Sequence, residues 1–181
     1  MMGVLASAAL LTVLALNPYF AALTLSATLG VFSGIRVLRR KRPDREATDR
    51  ATALDWAVTV TLLALSFALL TYTAAGGVQH RQPFIYALTG ATILYAGYDV
   101  LRFLRPAEWP FFPRLWLYEH MVKMLGAFAA VLSAFSGSVL TFIPIPDPWK
   151  QLWPTILFYL ITIMMIARNA RRPVMPVQGS E

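Results

Sequence analysis

No charged side chain stands between Met1 and Arg36, and the run is mostly aliphatic. A helix crosses a hydrocarbon core of about 30 Å with roughly 20 mainly apolar residues. The run is therefore long enough for more than one crossing. The rest of the chain continues in the same vein, at 57% apolar and 14% charged residues. Soluble domains average about 45–50% and about 25%. A water-facing surface cannot be built from so little charge, which excludes an ordinary cytosolic enzyme, a disordered tail and a disulfide-stapled secreted module. The absence of cysteine removes thiolate metal sites, disulfide exchange and cysteine nucleophiles. An all-α polytopic membrane bundle is what remains.

Proline and glycine divide the chain into spans. Asn17-Pro18 breaks the first run, because proline lacks an amide donor and disfavours helix in the residue before it. Six spans are expected, at about 2–16, 19–38, 53–75, 83–104, 115–143 and 151–169, in a single bundle over 1–172 with a tail at 173–181. The first is short: fifteen residues cover roughly 22 Å at 1.5 Å each, so it is either a span or a re-entrant or interfacial piece. A signal peptide is not expected there, with no basic region before it and no A-x-A site closing it. The final Gly179-Ser180-Glu181 is read as neutral to the fold.

The basic residues set the orientation. Arg36, Arg39, Arg40, Lys41, Arg42, Arg45 and Arg50 follow the second span; Arg102, Arg105 and Arg114 flank the loop after the fourth; Arg168, Arg171 and Arg172 follow the sixth. The opposite loops hold Arg81 and Lys150. The positive-inside rule makes the first set cytoplasmic, with both termini inside. Trp56, Trp109 and Trp116 then fall near the inner interface, and Trp149 and Trp153 near the outer one. The net charge of +7 is thus a topology signal and calls for no nucleic acid. Besides the bilayer itself, anionic lipid is a candidate partner for loop 36–50, although Asp44, Glu46 and Asp49 dilute its charge. A second copy or a membrane-complex subunit is a further candidate partner. No internal repeat of useful length is visible, which weakens an inverted-repeat transporter reading.

Several stretches resemble a bacterial family of uncharacterised multi-spanning membrane proteins. They are Ser33-Gly34-Ile35-Arg36, Leu54-Asp55-Trp56, and Gly97-Tyr98-Asp99-Val100-Leu101-Arg102. The most specific run is His120-Met121-Val122-Lys123-Met124-Leu125-Gly126-Ala127-Phe128, leading into Ala134-Phe135. It is similar to that family's His-x-x-(Arg)-Met-x-Gly-Ala-Tyr run, with Lys123 for arginine, Phe128 for tyrosine and Ser133 for threonine. Trp153-Pro154-Thr155 resembles its last span. The resemblance covers about 15–172 and lacks the family's upstream His-Arg stretch. It implies a bacterial inner-membrane protein and carries no activity.

Charged groups within a span cost about 2.5–3.5 kcal/mol each, so they tend to face protein or water. Here they are Asp55, Asp99, Glu119, His120 and Lys123, with Arg102 at an edge, all in the cytoplasmic third. At helical spacing Asp55, Thr59, Ser66 and Thr73 share one stripe; Thr92, Tyr95, Asp99 and Arg102 another; Tyr19, Ser26 and Ser33 a third. His120, Lys123, Met124, Ala127 and Val131 line up on the fifth span, while Gly126, Ala130 and Ala134 offer a close-approach surface. The stripes are expected to turn inward. A plain structural account stands beside a pocket: Glu119 with Lys123 at i,i+4, Asp99 with Arg102 at i,i+3, and Asp55 at a positive helix end.

Chemically, the six residues form a candidate ligand pocket or proton relay. His120 is the titrating group, Lys123 and Arg102 the anion partners, and Asp55 and Asp99 the balancing carboxylates. No Gly-x-Ser-x-Gly elbow, phosphate-cradling glycine loop or repeated Glu-x-x-His pair occurs, so neither enzyme catalysis nor a metal site is favoured. The preferred function is binding or proton-linked movement of a small polar or anionic molecule. The rivals are an accessory or assembly subunit with a structural ion-pair cluster, and a redox protein holding haem or quinone. No cofactor is expected, and haem held by two histidines of one chain is argued against. Only His80 and His120 exist, on opposite sides of a core of about 30 Å.

Overall fold

The computed structural model describes residues 17–77, 82–106, 114–142, 144 and 146–171. The expected first span, the tail and His80 lie outside these. Among the described residues there are five long helices and no strand: α1 (Pro18–Val37), α2 (Ala53–Tyr72), α3 (Gln82–Leu104), α4 (Leu115–Val139) and α5 (Asp147–Ala170). All five are long and apolar enough to cross a membrane.

The helix ends follow local chemistry. Asn17 caps α1, its side chain accepting from the Tyr19 amide at 3.0 Å, and Pro18 occupies the first turn, where no amide donor is needed. Thr52 and Asp55 form a reciprocal capping box at the start of α2. The α-helix stops at Tyr72; a wider turn, Thr73–Gly77, follows and contains Gly76, whose φ of 83° suits glycine. After α4, Leu140–Phe142 continues as a 3-10 turn. α5 begins at Asp147, four residues before the expected 151, because Pro148 is tolerated in a first turn.

Helix α1 is central, packing against α2, α3 and α4; α2 also packs on α3, and α5 on α4. Among the described residues α3 and α4 make almost no direct backbone approach. The bundle is polar inward and apolar outward. Asp55, Thr59 and Ser66 of α2, and Thr73 just after it, are buried, whereas Leu54, Val60, Leu65 and Phe67 are exposed. In lipid, apolar side chains gain nothing by hiding, but hydroxyls and charges do. The inward hydroxyls of Ser66, Thr73 and Thr92 each donate to a carbonyl four residues back, at 2.8 Å.

Ala134 lies in a buried cluster with Tyr19, Ala22 and Leu23 of α1, and Ala130 packs against it. A tight crossing of α1 and α4 also lies at Gly30 and Gly34. A Cβ on Gly30 would stand 2.9 Å from the Ala127 Cβ, and one on Gly34 3.0 Å from the Met124 sulfur. Gly126 has far more room, its nearest neighbour being the Tyr95 hydroxyl at 3.9 Å. The Gly-x-x-x-Gly spacing of 30 and 34 is the signal for such a crossing.

Candidate functional site

The chain runs up and down through the bundle, so the end of α1, the start of α2, the end of α3 and the start of α4 share one end. This is the end rich in basic residues. Three ion pairs tie these helices together, each between different helices.

Arg36, in the last turn of α1, grips Asp55 with two bonds of 2.7 Å, from Nε and NH2 to the two carboxylate oxygens. Thr52 donates to the same carboxylate from its amide at 2.9 Å and its hydroxyl at 2.8 Å. Next, the Lys123 ammonium donates to Asp99 Oδ1 at 2.5 Å and to Ser33 Oγ at 2.6 Å, and Ser33 in turn donates to Asp99 Oδ2. This closes a triad across α1, α3 and α4. Finally, Arg102 donates to Glu119 from one terminal nitrogen and to the Arg40 carbonyl at 3.0 Å from the other. Tyr98 supplies the second donor to Glu119 at 2.5 Å.

The pairing therefore crosses the expected one. Glu119 takes Arg102 rather than Lys123, and Asp99 takes Lys123 rather than Arg102. Spacing along one helix shows which pairs are possible, but here the facing helix offers better-aligned donors. His120 stands apart from the carboxylates: its Nδ1 lies 2.8 Å from the Gly34 carbonyl, which can only accept, so Nδ1 carries the hydrogen. Asp55, Asp99, Arg102, Glu119 and Lys123 are thus joined into the ion-paired layer, while His120 caps the α1 backbone beside it.

Sequence reasoning gave Arg36 and Arg40 only to topology and left Tyr98 without a role. Arg40 follows α1 and is 3% exposed. Its Nε reaches the Arg36 carbonyl at 3.4 Å, and its guanidinium lies 4.6 Å from the Phe103 ring centroid. Its NH1 is buried with no hydrogen-bond partner among the described residues. Burial holds the Arg40 pKa below the usual arginine value, partly offset by the nearby charge of Asp55. Four cations (Arg36, Arg40, Arg102, Lys123) thus meet three carboxylates (Asp55, Asp99, Glu119), and Arg40 is the surplus charge.

Beyond the ion-paired layer lies a cavity of about 220 Å³ between α1, α3, α4 and α5. Lys123 stands at one end, Tyr19 and Gln151 at the other, with Ser26, Gly126 and Ser133 along the walls. Most of the lining is aliphatic. Ser133 and Thr155 hydroxyls meet at 2.9 Å between α4 and α5. Both oxygens of each cluster carboxylate are engaged, and among the described residues no three histidine or acidic side chains gather as metal ligands. No family model, curated protein or solved structure matches the chain.

Proposed function

We propose that this is a bacterial inner-membrane protein, both termini cytoplasmic, that binds a small polar or anionic molecule inside the bundle and moves it in a proton-linked manner. The observation that carries this reading is the cavity lined at one end by Lys123, whose ammonium is held by Asp99 and Ser33. The positive surplus at Arg40 draws polar and anionic solutes to the cytoplasmic end. Lys123 is the donor that meets the ligand, and Asp99 balances its charge. Passing one proton from Lys123 to Asp99 turns the ion pair into an amine and a carboxylic acid without changing net charge. It also weakens the tie between α3 and α4. His120 Nε2 is the group available for proton exchange with the cytoplasm, while Arg102, Glu119 and Asp55 hold the helices in register. The reading needs no resident cofactor.

A second reading, an accessory subunit whose cluster only sets helix register, is favoured by the pairing of Asp55, Asp99 and Glu119, each with a cation and a hydroxyl. The chain has no cysteine, which allows a clean test. A single Ser133→Cys protein in membranes is expected to react with uncharged methyl methanethiosulfonate, and to react at least tenfold more slowly once Gly126→Leu fills the cavity. A cysteine that reacts only after denaturation favours the register-setting subunit instead.

A further inference from the structure

The cavity is not the only space that reaches Lys123. A groove of about 410 Å³ runs between α3 and α4, lined by Leu94, Tyr98, Leu115 and Val122, and bounded by Tyr95 and Lys123. Those last two residues line the internal cavity as well. The groove occupies the half of the two helices nearer the basic end; the cavity occupies the other half. It exists because α3 and α4 both lean on α1 and scarcely approach each other. Charged bridges close the basic end of the gap, but the flank is open, and Leu94 on its rim is 75% exposed. In a bilayer a flank at this depth meets acyl chains rather than water.

The charges along this route define what it accepts. The Lys123 ammonium is already neutralised by Asp99, and Glu119 by Arg102. A carboxylate or phosphate entering here would compete with Asp99 for Lys123 in an apolar space that Arg40, the surplus cation, does not line, which is unfavourable. An ammonium has three donors. Two are held by Asp99 and Ser33; the third has no oxygen acceptor among the described residues, and the ammonium lies 5.7 Å from the centroid of the Tyr98 ring that lines the groove. The walls are aliphatic and aromatic, so they favour a hydrocarbon chain. A cavity of about 150 Å³ holds benzene; the larger space here suits a carbonyl or hydroxyl head with several methylenes.

We propose that the ligand is an uncharged, chain-bearing carbonyl or hydroxyl compound that enters from the cytoplasmic leaflet between α3 and α4, its oxygen accepting the third Lys123 hydrogen. The proposal rests on the cavity being the binding site. It narrows the ligand from polar or anionic to uncharged, and it names the membrane as the source.

The experiment uses the full chain in liposomes with the single Ser133→Cys substitution and two reagents, methyl and decyl methanethiosulfonate. Both are expected to react. Val122→Trp, which fills the groove, is expected to slow the decyl reagent at least tenfold and the methyl reagent less than twofold. An excess of 2-decanone is expected to protect the cysteine from the decyl reagent at least tenfold, with decanoate and decane protecting less than twofold. Equal labelling by the decyl reagent with and without Val122→Trp would overturn lateral entry. Protection by decanoate equal to that by the ketone would overturn the uncharged head, and equal protection by decane would reduce the groove to a seat for ordinary acyl chains. If neither reagent reacts in the folded protein, the cavity reading itself fails. Reaction with the methyl reagent in the Val122→Trp protein shows that this variant is folded.

Discussion

Helices α3 and α4 meet in two unlike ways along their length. Near the basic end they are joined by Asp99–Lys123 and by Glu119 with Tyr98 and Arg102; farther along they are separated by a cavity. Lipid tails are as apolar as leucine, so helices in a membrane gain nothing from burying aliphatic side chains against each other. A gap between two spans is therefore tolerated wherever other ties fix them. One half of this bundle supplies the ties and leaves the other half free to hold something else. The contrast predicts that substitutions at the two halves differ sharply in cost.

The largest effect belongs to Asp99. Asp99→Leu leaves the Lys123 ammonium buried without a carboxylate, a situation that costs about 3–5 kcal/mol. Thr92→Leu, about two turns farther along the same face, removes a hydroxyl bonded to its own helix at 2.8 Å and is expected to cost far less. Pairing Asp99→Leu with Lys123→Met removes both charges and is expected to restore most of the loss, since buried pairs are often replaceable by apolar residues. Reversible unfolding in mixed detergent micelles measures all four proteins. Equal losses for Asp99→Leu and Thr92→Leu would show that charge is not what joins α3 to α4.

Intermediate effects come from packing. Gly30→Val forces side-chain atoms against Ala127 and the Lys123 carbonyl, and overpacking of this kind costs about 1–3 kcal/mol. It also shifts α4 relative to Ser33. Ser133→Ala at the cavity end removes one interhelical hydroxyl bond of 2.9 Å, and such bonds average about 0.6 kcal/mol in membrane proteins. The same unfolding assay ranks them, and a Ser133→Ala loss as large as that of Gly30→Val would erase the distinction between a tied half and a free one.

Much of this arrangement is legible in the sequence, because membrane constraints are simple. Helix starts at Pro18 and Ala53 follow from Asn17-Pro18 and from Thr52 with Asp55, and the inward stripes follow from hydroxyls spaced at helical intervals. Partner choice was not legible. Asp99 has a cation three residues away on its own helix, yet it pairs with Lys123 on another, because Ser33 and the close α1–α4 crossing bring that ammonium within reach. The cavity was equally hidden: it arises from how far α3 and α4 lean apart, a property of the whole bundle. Arg40 was hidden in a different way, since a run of basic residues after a span already has a sufficient explanation in topology.

Arg40 gives a small effect and the finest test of the charged half. Its guanidinium is buried, rests over Phe103, and has one terminal nitrogen without a hydrogen-bond partner among the described residues. Burial disfavours its charged form, whereas its stem packs against an aromatic ring as a methionine would. Arg40→Met therefore removes a charge that no carboxylate balances and keeps most of the packing. Attraction to Asp55 works the other way, so the net change in unfolding free energy is expected to stay within about 1 kcal/mol. That is well below the loss at Asp99, although both side chains are buried charges at the same end. A loss as large as that of Asp99→Leu would mean that Arg40 is paired in the folded protein, and that the charged half is balanced rather than one cation in excess.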